Sequence, residues 1–156
     1  LMLDAPLWEN LLLTRDEEPE FNNGAFVNQG NVRDATRHTI EKFGVQTPDE
    51  TVPAFALSGG NQQKVVVGRW LQGDPQVLVL DEPFRGVDIG ARRTISAKAR
   101  SLASQGRGVV VFTSEVDELL EVADRVIVMV DGEPRMDTYL SETNREEIVN
   151  TMSEVM

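Results

Sequence analysis

The chain has 156 residues, of which 40% are hydrophobic, and this is enough for one compact core or two small lobes. Its formal net charge of −11 argues against binding to nucleic acid or anionic lipid headgroups, because the protein's own field repels both. The absence of cysteine excludes disulfides and thiolate metal sites, and the single histidine, His38, is expected to be solvated rather than a ligand.

No apolar run reaches the roughly 18 residues that a membrane-spanning helix needs. The start, Leu1-Met2-Leu3-Asp4, also lacks the basic flank of a signal peptide. We therefore expect no direct membrane insertion, so that any role at a membrane depends on a partner.

The first part of the chain predicts helices joined by polar connections. Helical apolar spacing is found at residues 6–13, 31–43 and 60–71. Asn31 is a plausible N-cap for the second helix, and Gly44 ends it. Residues 14–30 and 47–56 are expected to be irregular, since they are rich in polar residues, proline or both.

The later part of the chain predicts alternating strands and helices. Strands are expected at residues 77–80, 109–112 and 126–130, with helices at 91–104 and 116–123. This order predicts parallel strands joined by right-handed crossovers. Asp131-Gly132 starts a turn into an antiparallel edge strand at 135–139, and Thr143 and Glu146 fit a capping box for a helix reaching about Glu154.

Two short motifs in this framework are suited to phosphate chemistry. Leu57-Ser58-Gly59-Gly60 opens a helix, where Ser58 can cap the helix and the glycines let backbone amides approach an anion. The strand at 77–80 ends in Asp81-Glu82, whose side chains leave on opposite sides, so that one carboxylate can face magnesium and the other a water. Each motif alone is common in ordinary loops and strand ends, whereas together they indicate nucleotide hydrolysis.

The order and spacing of these motifs, followed by Gly86-Val87-Asp88, resemble the ATP-binding-cassette (ABC) ATPases. The resemblance implies an α/β fold: a partial RecA-like P-loop NTPase core with parallel strands, at residues 73–156, plus an ABC-type helical lobe at residues 1–72. It also implies that residues 57–64 form the ABC signature, that residues 80–82 end the Walker B strand, and that Asp88 lies in the D-loop.

The resemblance further implies ATP and Mg²⁺ as cofactors. Asp81 would be the magnesium ligand and Glu82 the general base. The residues that would contact nucleotide are Ser58, Gly59, Gly60, Gln62, Asp88 and Ser114. The signature residues would act in trans, on ATP held by an opposing cassette. Two positions depart from the family pattern, since Phe84 replaces the common Thr or Ser and Ser114 stands where most cassettes carry a switch histidine.

Two further stretches narrow the resemblance. Asn61-Gln62-Gln63-Lys64 and residues 85–91 are similar to the second cassette of tandem ATPases of monosaccharide importers, of the ribose, galactose and arabinose type. Related nucleoside importers share much of this pattern, so the transported compound stays open. The implied partners are the opposing cassette and transmembrane permease subunits, at the cytoplasmic face of the bacterial inner membrane.

The sequence contains no Gly-x-x-x-x-Gly-Lys-Ser/Thr loop, which supplies most phosphate contacts in P-loop ATPases. Against the family pattern, we expect the chain to be the second half of one cassette and to be inactive by itself. Two alternatives remain at this point. A non-transport ABC ATPase would carry long heptad insertions, which are absent here, and an interaction module would complete a partner's site without catalysis.

Overall fold

The computed structural model describes residues 1–16, 18–23, 26–72 and 75–153. The chain divides into two compact units. The first unit comprises Leu1–Gln76 and Phe84–Lys98, and the second comprises Val77–Pro83 and Ala99–Met156. The chain therefore enters the second unit for one strand, returns to the first, and then completes the second.

The first unit is built on three helices: α1 (Leu7–Leu12), α2 (Gln29–Phe43) and α3 (Gly59–Gln72). Each of these helices contacts the other two. The apolar side chains that they bury include Leu7, Leu11, Val32, Phe43, Val65 and Leu71. The buried Arg69 donates from Nη1 to the carbonyl oxygen of Asn10 at 3.1 Å, which ties α3 to α1. The three predicted helices are thus confirmed, with ends shifted by one or two residues.

The predicted N-cap of α2 is wrong. The structure places the cap at Asn28, whose side chain accepts a hydrogen bond from the backbone N–H of Asn31 at 3.2 Å. Asn31 instead donates from its own side chain to the carbonyl oxygen of Glu20 at 2.7 Å. Both asparagines are good capping residues, and the chain uses the earlier one because Gln29 and Gly30 can adopt helical geometry.

The connection at residues 14–30 is more ordered than its composition indicates. It contains a 3₁₀ turn at Pro19–Phe21 and two short strands, β1 (Asn22–Asn23) and β2 (Phe26–Val27), which pair antiparallel. Residues 17, 24 and 25 of the predicted loop lie outside the described part. The connection at 47–56 ends in a second 3₁₀ turn, Ala54–Ala56, directly before α3.

The second unit contains a parallel strand pair. Strand β3 (Val77–Asp81) pairs with β4 (Gly108–Phe112), in a register that sets Leu80 beside Val111 and Asp81 beside Phe112. Helix α4 (Ile89–Ser104) connects them and contributes residues to both units. This arrangement confirms the predicted β-α-β crossover and brings the carboxyl ends of the two strands together.

The predicted third strand is present, but the prediction that it joins the parallel sheet is wrong. Strand β5 (Arg125–Val130) forms an antiparallel hairpin with β6 (Glu133–Tyr139), and within the described residues it has no ladder to β4. The alternation of strands and helices fixes the kind of crossover but not which strands are neighbours. The tight turn at Asp131-Gly132, with positive φ at both residues, joins β5 to β6 in a local hairpin. The antiparallel strand after this turn is confirmed.

Two helices cover the hairpin. Helices α5 (Val116–Val122) and α6 (Arg145–Ser153) surround a small core of Val126, Val128 and Ile148. The predicted capping box is shifted by one residue, because Asn144 accepts from the N–H of Glu147 at 3.0 Å. The hydroxyl of Thr143 donates to the Glu147 carboxylate at 2.8 Å. The predicted end of this helix at Glu154 lies outside the described residues.

No helix in the described ranges is long and apolar enough to cross a membrane. The predicted boundary between residues 72 and 73 falls at a gap, since residues 73 and 74 lie outside the described part. A division into lobes 1–72 and 73–156 therefore remains a prediction.

Gly68 provides a test of the packing between α2 and α3. A Cβ at this position would lie 2.6 Å from Thr39 Cγ2 and 2.9 Å from Phe43 Cδ2. We expect Gly68→Ala to lower the free energy of unfolding by about 1–3 kcal/mol, because overpacking outweighs the gain in helix propensity. Denaturant unfolding monitored by circular dichroism measures this change.

Gly30, in the exposed first turn of α2, is the matched control. A Cβ there meets only Asn28 Oδ1, at 3.4 Å. Gly30→Ala should leave stability unchanged or raise it by up to about 1 kcal/mol. Equal effects of the two substitutions would contradict the described packing of α3 on α2.

Candidate functional site

The predicted site residues fall into two groups. Ser58, Gly59, Gly60, Gln62 and Asp88 belong to the first unit, whereas Asp81, Glu82 and Ser114 belong to the second. We call them the helix-start group and the strand-end group.

The helix-start group is organised around the first turn of α3. The Ser58 hydroxyl accepts from the side-chain nitrogen of Asn61 at 3.0 Å and, more weakly, from the Asn61 backbone N–H at 3.4 Å. Asn61 Oδ1 accepts from the backbone N–H of Gln46 at 2.9 Å. Ser58 therefore caps the helix as expected, and Asn61 holds the capping hydroxyl in place.

The two glycines of this group have different surroundings. A Cβ at Gly59 would meet nothing within 4 Å, so the start of α3 is open there. A Cβ at Gly60 would lie 2.2 Å from the carbonyl oxygen of Gly86. The structure around Gly59 would therefore accept a larger side chain. Gly60 is required because another part of the chain packs directly against the first turn of α3.

Gln62 is turned towards the protein backbone. Its side-chain nitrogen donates to the carbonyl oxygens of Ala54 and Leu57, both at 3.1 Å. These bonds hold the 3₁₀ turn against α3, and they use the donors of the amide. If Gln62 contacts nucleotide as predicted, its side-chain oxygen would make the contact.

Asp88 begins α4 and forms an ion pair. Its Oδ1 accepts from the backbone N–H of Ala91 at 2.9 Å, and its Oδ2 accepts from the ammonium of Lys64. The Lys64 hydrogen bond is the main cause that lowers the pKa of Asp88, with the Ala91 N–H adding to it. Because this pKa is lowered on folding, the pair stabilises the fold above the ordinary aspartate pKa of about 3.9, and this contribution is lost as the pH falls below that value.

The strand-end group is organised around Glu82. This residue follows β3 with a φ of 45°, a left-handed conformation that costs a non-glycine residue about 1–3 kcal/mol. Its backbone N–H donates to the carbonyl oxygen of Phe112 at 2.9 Å. Its side-chain Oε1 accepts from the backbone N–H of Ser114 at 3.0 Å. Backbone strain at a carboxylate held by two anchors is typical of a functional position.

The structure thus brings Glu82 and Ser114 together, through the backbone of Ser114 rather than its hydroxyl. The neighbouring Thr113 donates its hydroxyl to Glu118 Oε2 at 2.7 Å and accepts from the N–H of Glu115 at 3.1 Å, which fixes the turn after β4. Asp81 lies at the end of β3 with an exposed side chain. Its carboxylate is therefore accessible to a solvated cation.

Phe84 has a packing role that the sequence did not indicate. Its side chain is buried, and the Arg92 guanidinium lies 5.5 Å from the centre of its ring. The sequence also missed Lys64, which is only 5% exposed and contacts Asp88. Lys64 is four residues after Gly60 and so lies on the same face of α3, but no local pattern indicates its contact with Asp88.

Comparisons with known proteins agree on one family. The family profile described as ABC transporter matches residues 6–85. The galactose/methyl galactoside import ATP-binding protein MglA of Pasteurella multocida is 45% identical over 114 residues, which are 73% of this chain and 22% of that protein. The ribose import ATP-binding protein RbsA of Rhodopirellula baltica is 38% identical over 149 residues, 96% of this chain and 29% of that protein.

The solved structures support the fold. The ATP-binding cassette MJ0796, in a dimeric post-hydrolysis state bound to ADP and Pi, is similar at a TM-score of 0.73 and 22% identity, covering 90% of this chain and 59% of that one. An ATP-binding subunit of an ABC transporter has a TM-score of 0.78 at 17% identity, covering 99% of this chain and 65% of that one. The predicted α/β fold with a partial RecA-like core and helical lobe is confirmed. The chain spans about a quarter of the length of the curated relatives that it matches.

The contrast between the two glycines predicts different effects of alanine. Gly60→Ala should lower the free energy of unfolding by about 1–3 kcal/mol, because its Cβ would collide with a backbone oxygen that has little freedom to move. Gly59→Ala should change it by less than about 1 kcal/mol. Urea unfolding of the two variants tests this, and an unaffected Gly60→Ala protein would show that the packing against Gly86 is wrong.

Proposed function

The chain belongs to the ATP-binding cassette (ABC) transporter family, and on that premise we propose that it is part of a subunit that hydrolyses ATP to power sugar import into a bacterial cell. The relatives named for galactose and ribose import support the transported class. The observation that carries the chemistry is the Glu82 carboxylate, held at the end of a parallel strand pair by the Ser114 amide at 3.0 Å.

In this proposal Glu82 is the general base. Its carboxylate accepts a proton from water, the water oxygen attacks the γ-phosphorus, and the bond to the ADP oxygen breaks, which leaves ADP and phosphate. Phosphoryl transfer depends mostly on positioning and electrostatics. The strained backbone of Glu82 and the hydrogen bond from Ser114 supply that positioning, because they leave the carboxylate few alternative orientations.

Asp81 is proposed to hold Mg²⁺. Within the described residues no three or more His, Cys, Asp or Glu side chains gather into a metal site. A single carboxylate such as that of Asp81 is enough for magnesium, which in nucleotide enzymes keeps several waters and binds one or two carboxylates together with substrate phosphates. When bound, the ion neutralises charge that develops on the phosphate oxygens. Asp81 is exposed and so can reach such a hydrated ion.

The helix-start group is proposed to bind the phosphate of a second ATP. Helix α3 has 14 residues, and its amino-terminal end favours an anion through its free N–H groups and its dipole. The open space at Gly59 gives a phosphate access to those groups. As in the family, Ser58, Gly59 and Gly60 would complete the site of an opposing cassette, while Asp88 and Gln62 shape the same surface.

The partners follow from this arrangement. We propose an opposing ABC cassette, in the same polypeptide or in a dimer, and transmembrane permease subunits as the sugar path. The helical lobe, residues 1–72, would face the permease, and residues 73–156 would form the carboxyl-terminal part of the ATPase core. The protein would work at the cytoplasmic face of the inner membrane.

Substitution of Glu82 tests the assigned base. Glu82→Gln in the full-length protein keeps the shape and an oxygen for the Ser114 N–H but removes the proton acceptor. ATP should still bind, and turnover at the site that contains Glu82 should fall by about 10²–10⁴-fold. Single-turnover hydrolysis with radiolabelled ATP measures this directly, with nucleotide binding as the control. Hydrolysis at the wild-type rate in that site would remove Glu82 from the mechanism.

A second pair of variants tests whether the two composite sites are unequal. Ser58→Arg places a bulky cation at the phosphate position, and one lost transition-state donor typically costs about 10²–10³ in rate. This variant should lose most ATPase activity and sugar uptake. Ser114→Ala should change little, because it retains the N–H that binds Glu82 and loses only a hydroxyl that is too short to replace a histidine.

Steady-state ATPase activity and uptake of labelled sugar in membrane vesicles measure both variants side by side. Equal damage from the Ser114 and Ser58 substitutions would contradict unequal sites. The site that contains Ser114 would then be a full catalytic centre.

A further inference from the structure

Lys64 is a buried cation to which neither the ABC pattern nor the proposed mechanism gives a role. It lies on α3, inside the signature segment 57–64, and is 5% exposed. A buried lysine must satisfy its ammonium with hydrogen-bond acceptors, since an unpaired buried charge is strongly destabilising. The acceptors of Lys64 therefore show what this residue holds together.

The ammonium of Lys64 joins the ends of two other helices. Its Nζ donates to the carbonyl oxygen of Gly44 at 2.9 Å and to Oδ2 of Asp88. Gly44 is the left-handed C-cap of α2, with a φ of 60°, where a helix dipole favours a cation. Asp88 caps the start of α4 through the N–H of Ala91. One side chain thus connects α3 with the end of α2 and the start of α4.

Gly60 reinforces the same contact one turn earlier. Its close approach to the Gly86 carbonyl oxygen presses the loop before Asp88 against α3. The hydrogen bond from Lys64 is also the main cause that lowers the pKa of Asp88. The loop at residues 84–88 is therefore held at two points, one by steric fit and the other by an ion pair.

We propose that Lys64 is a positioning residue that locks the loop at residues 84–88 and the first turn of α4 to the phosphate-facing start of α3. The inference rests on the proposed function for its catalytic consequence, but not for the structural coupling itself. Asp88 then acts through Lys64, and the loop and the helix start approach nucleotide as one rigid element.

Hydrogen exchange in the full-length protein tests the coupling without any ATPase assay. Lys64→Met keeps the approximate length of the side chain and removes the charge, and it leaves no buried unpaired carboxylate, because the Asp88 side chain is 61% exposed. The N–H of Ala91 should exchange about fivefold or more faster in this variant, since Asp88 is released from one of its two anchors. Lys98→Met, the same change on α4, should leave that exchange rate unchanged. Wild-type exchange at Ala91 in Lys64→Met would overturn the proposal.

Turnover in the full-length protein tests the catalytic consequence. Lys64→Met should lower kcat about tenfold and leave KM for ATP within about twofold, because positioning is lost while nucleotide contacts remain. Lys64→Arg should restore most of kcat, since it keeps the donor. Asp88→Asn should reproduce the loss, as it still caps α4 but lacks the charge, and it replaces Lys64→Met if that variant does not fold.

The outcomes separate this inference from the proposed function. An inactive wild-type protein would count against ATP hydrolysis, while the exchange measurement on Ala91 would still decide the coupling. An active wild-type protein with unchanged kcat in both Lys64→Met and Asp88→Asn would overturn the positioning role alone. Failure of Lys64→Arg to restore turnover would also overturn it, because the loss would then reflect packing rather than the hydrogen bond.

Discussion

The first unit depends on one closely packed face of helix α3. Gly60, Lys64 and Gly68 follow one another at four-residue intervals on that face. They meet the Gly86 carbonyl, the Asp88 carboxylate and the side chains of Thr39 and Phe43. Helix α3 is thereby fixed to α2 and to the loop before α4, so its position is set by packing.

The second unit uses backbone groups to place its carboxylate. The parallel register of β3 and β4 puts Asp81 beside Phe112, and the turn after β4 then delivers the Ser114 N–H to Glu82. A left-handed backbone at Glu82 completes the arrangement. Because a backbone N–H makes this contact, the contact does not depend on which side chain stands at position 114.

Local signals carried most of what the sequence predicted correctly. Apolar spacing placed the helices and strands to within a few residues, and the Asp131-Gly132 turn gave the hairpin. Local signals did not show which of two neighbouring residues caps a helix, as at Asn28 and Asn144. They also did not show contacts between distant segments, such as Gly60 with Gly86 and Lys64 with Asp88, because no local pattern records which helix faces which loop.

The structure of the full-length protein with Mg²⁺ and ATP bound would test the proposed phosphate site at the start of α3 most directly. A γ-phosphate oxygen should lie at about 3 Å from the Gly59 amide nitrogen and the Ser58 hydroxyl, with the nucleotide held by an opposing cassette. A nucleotide whose phosphates lie away from the start of α3, with water or another protein segment at Gly59, would contradict it.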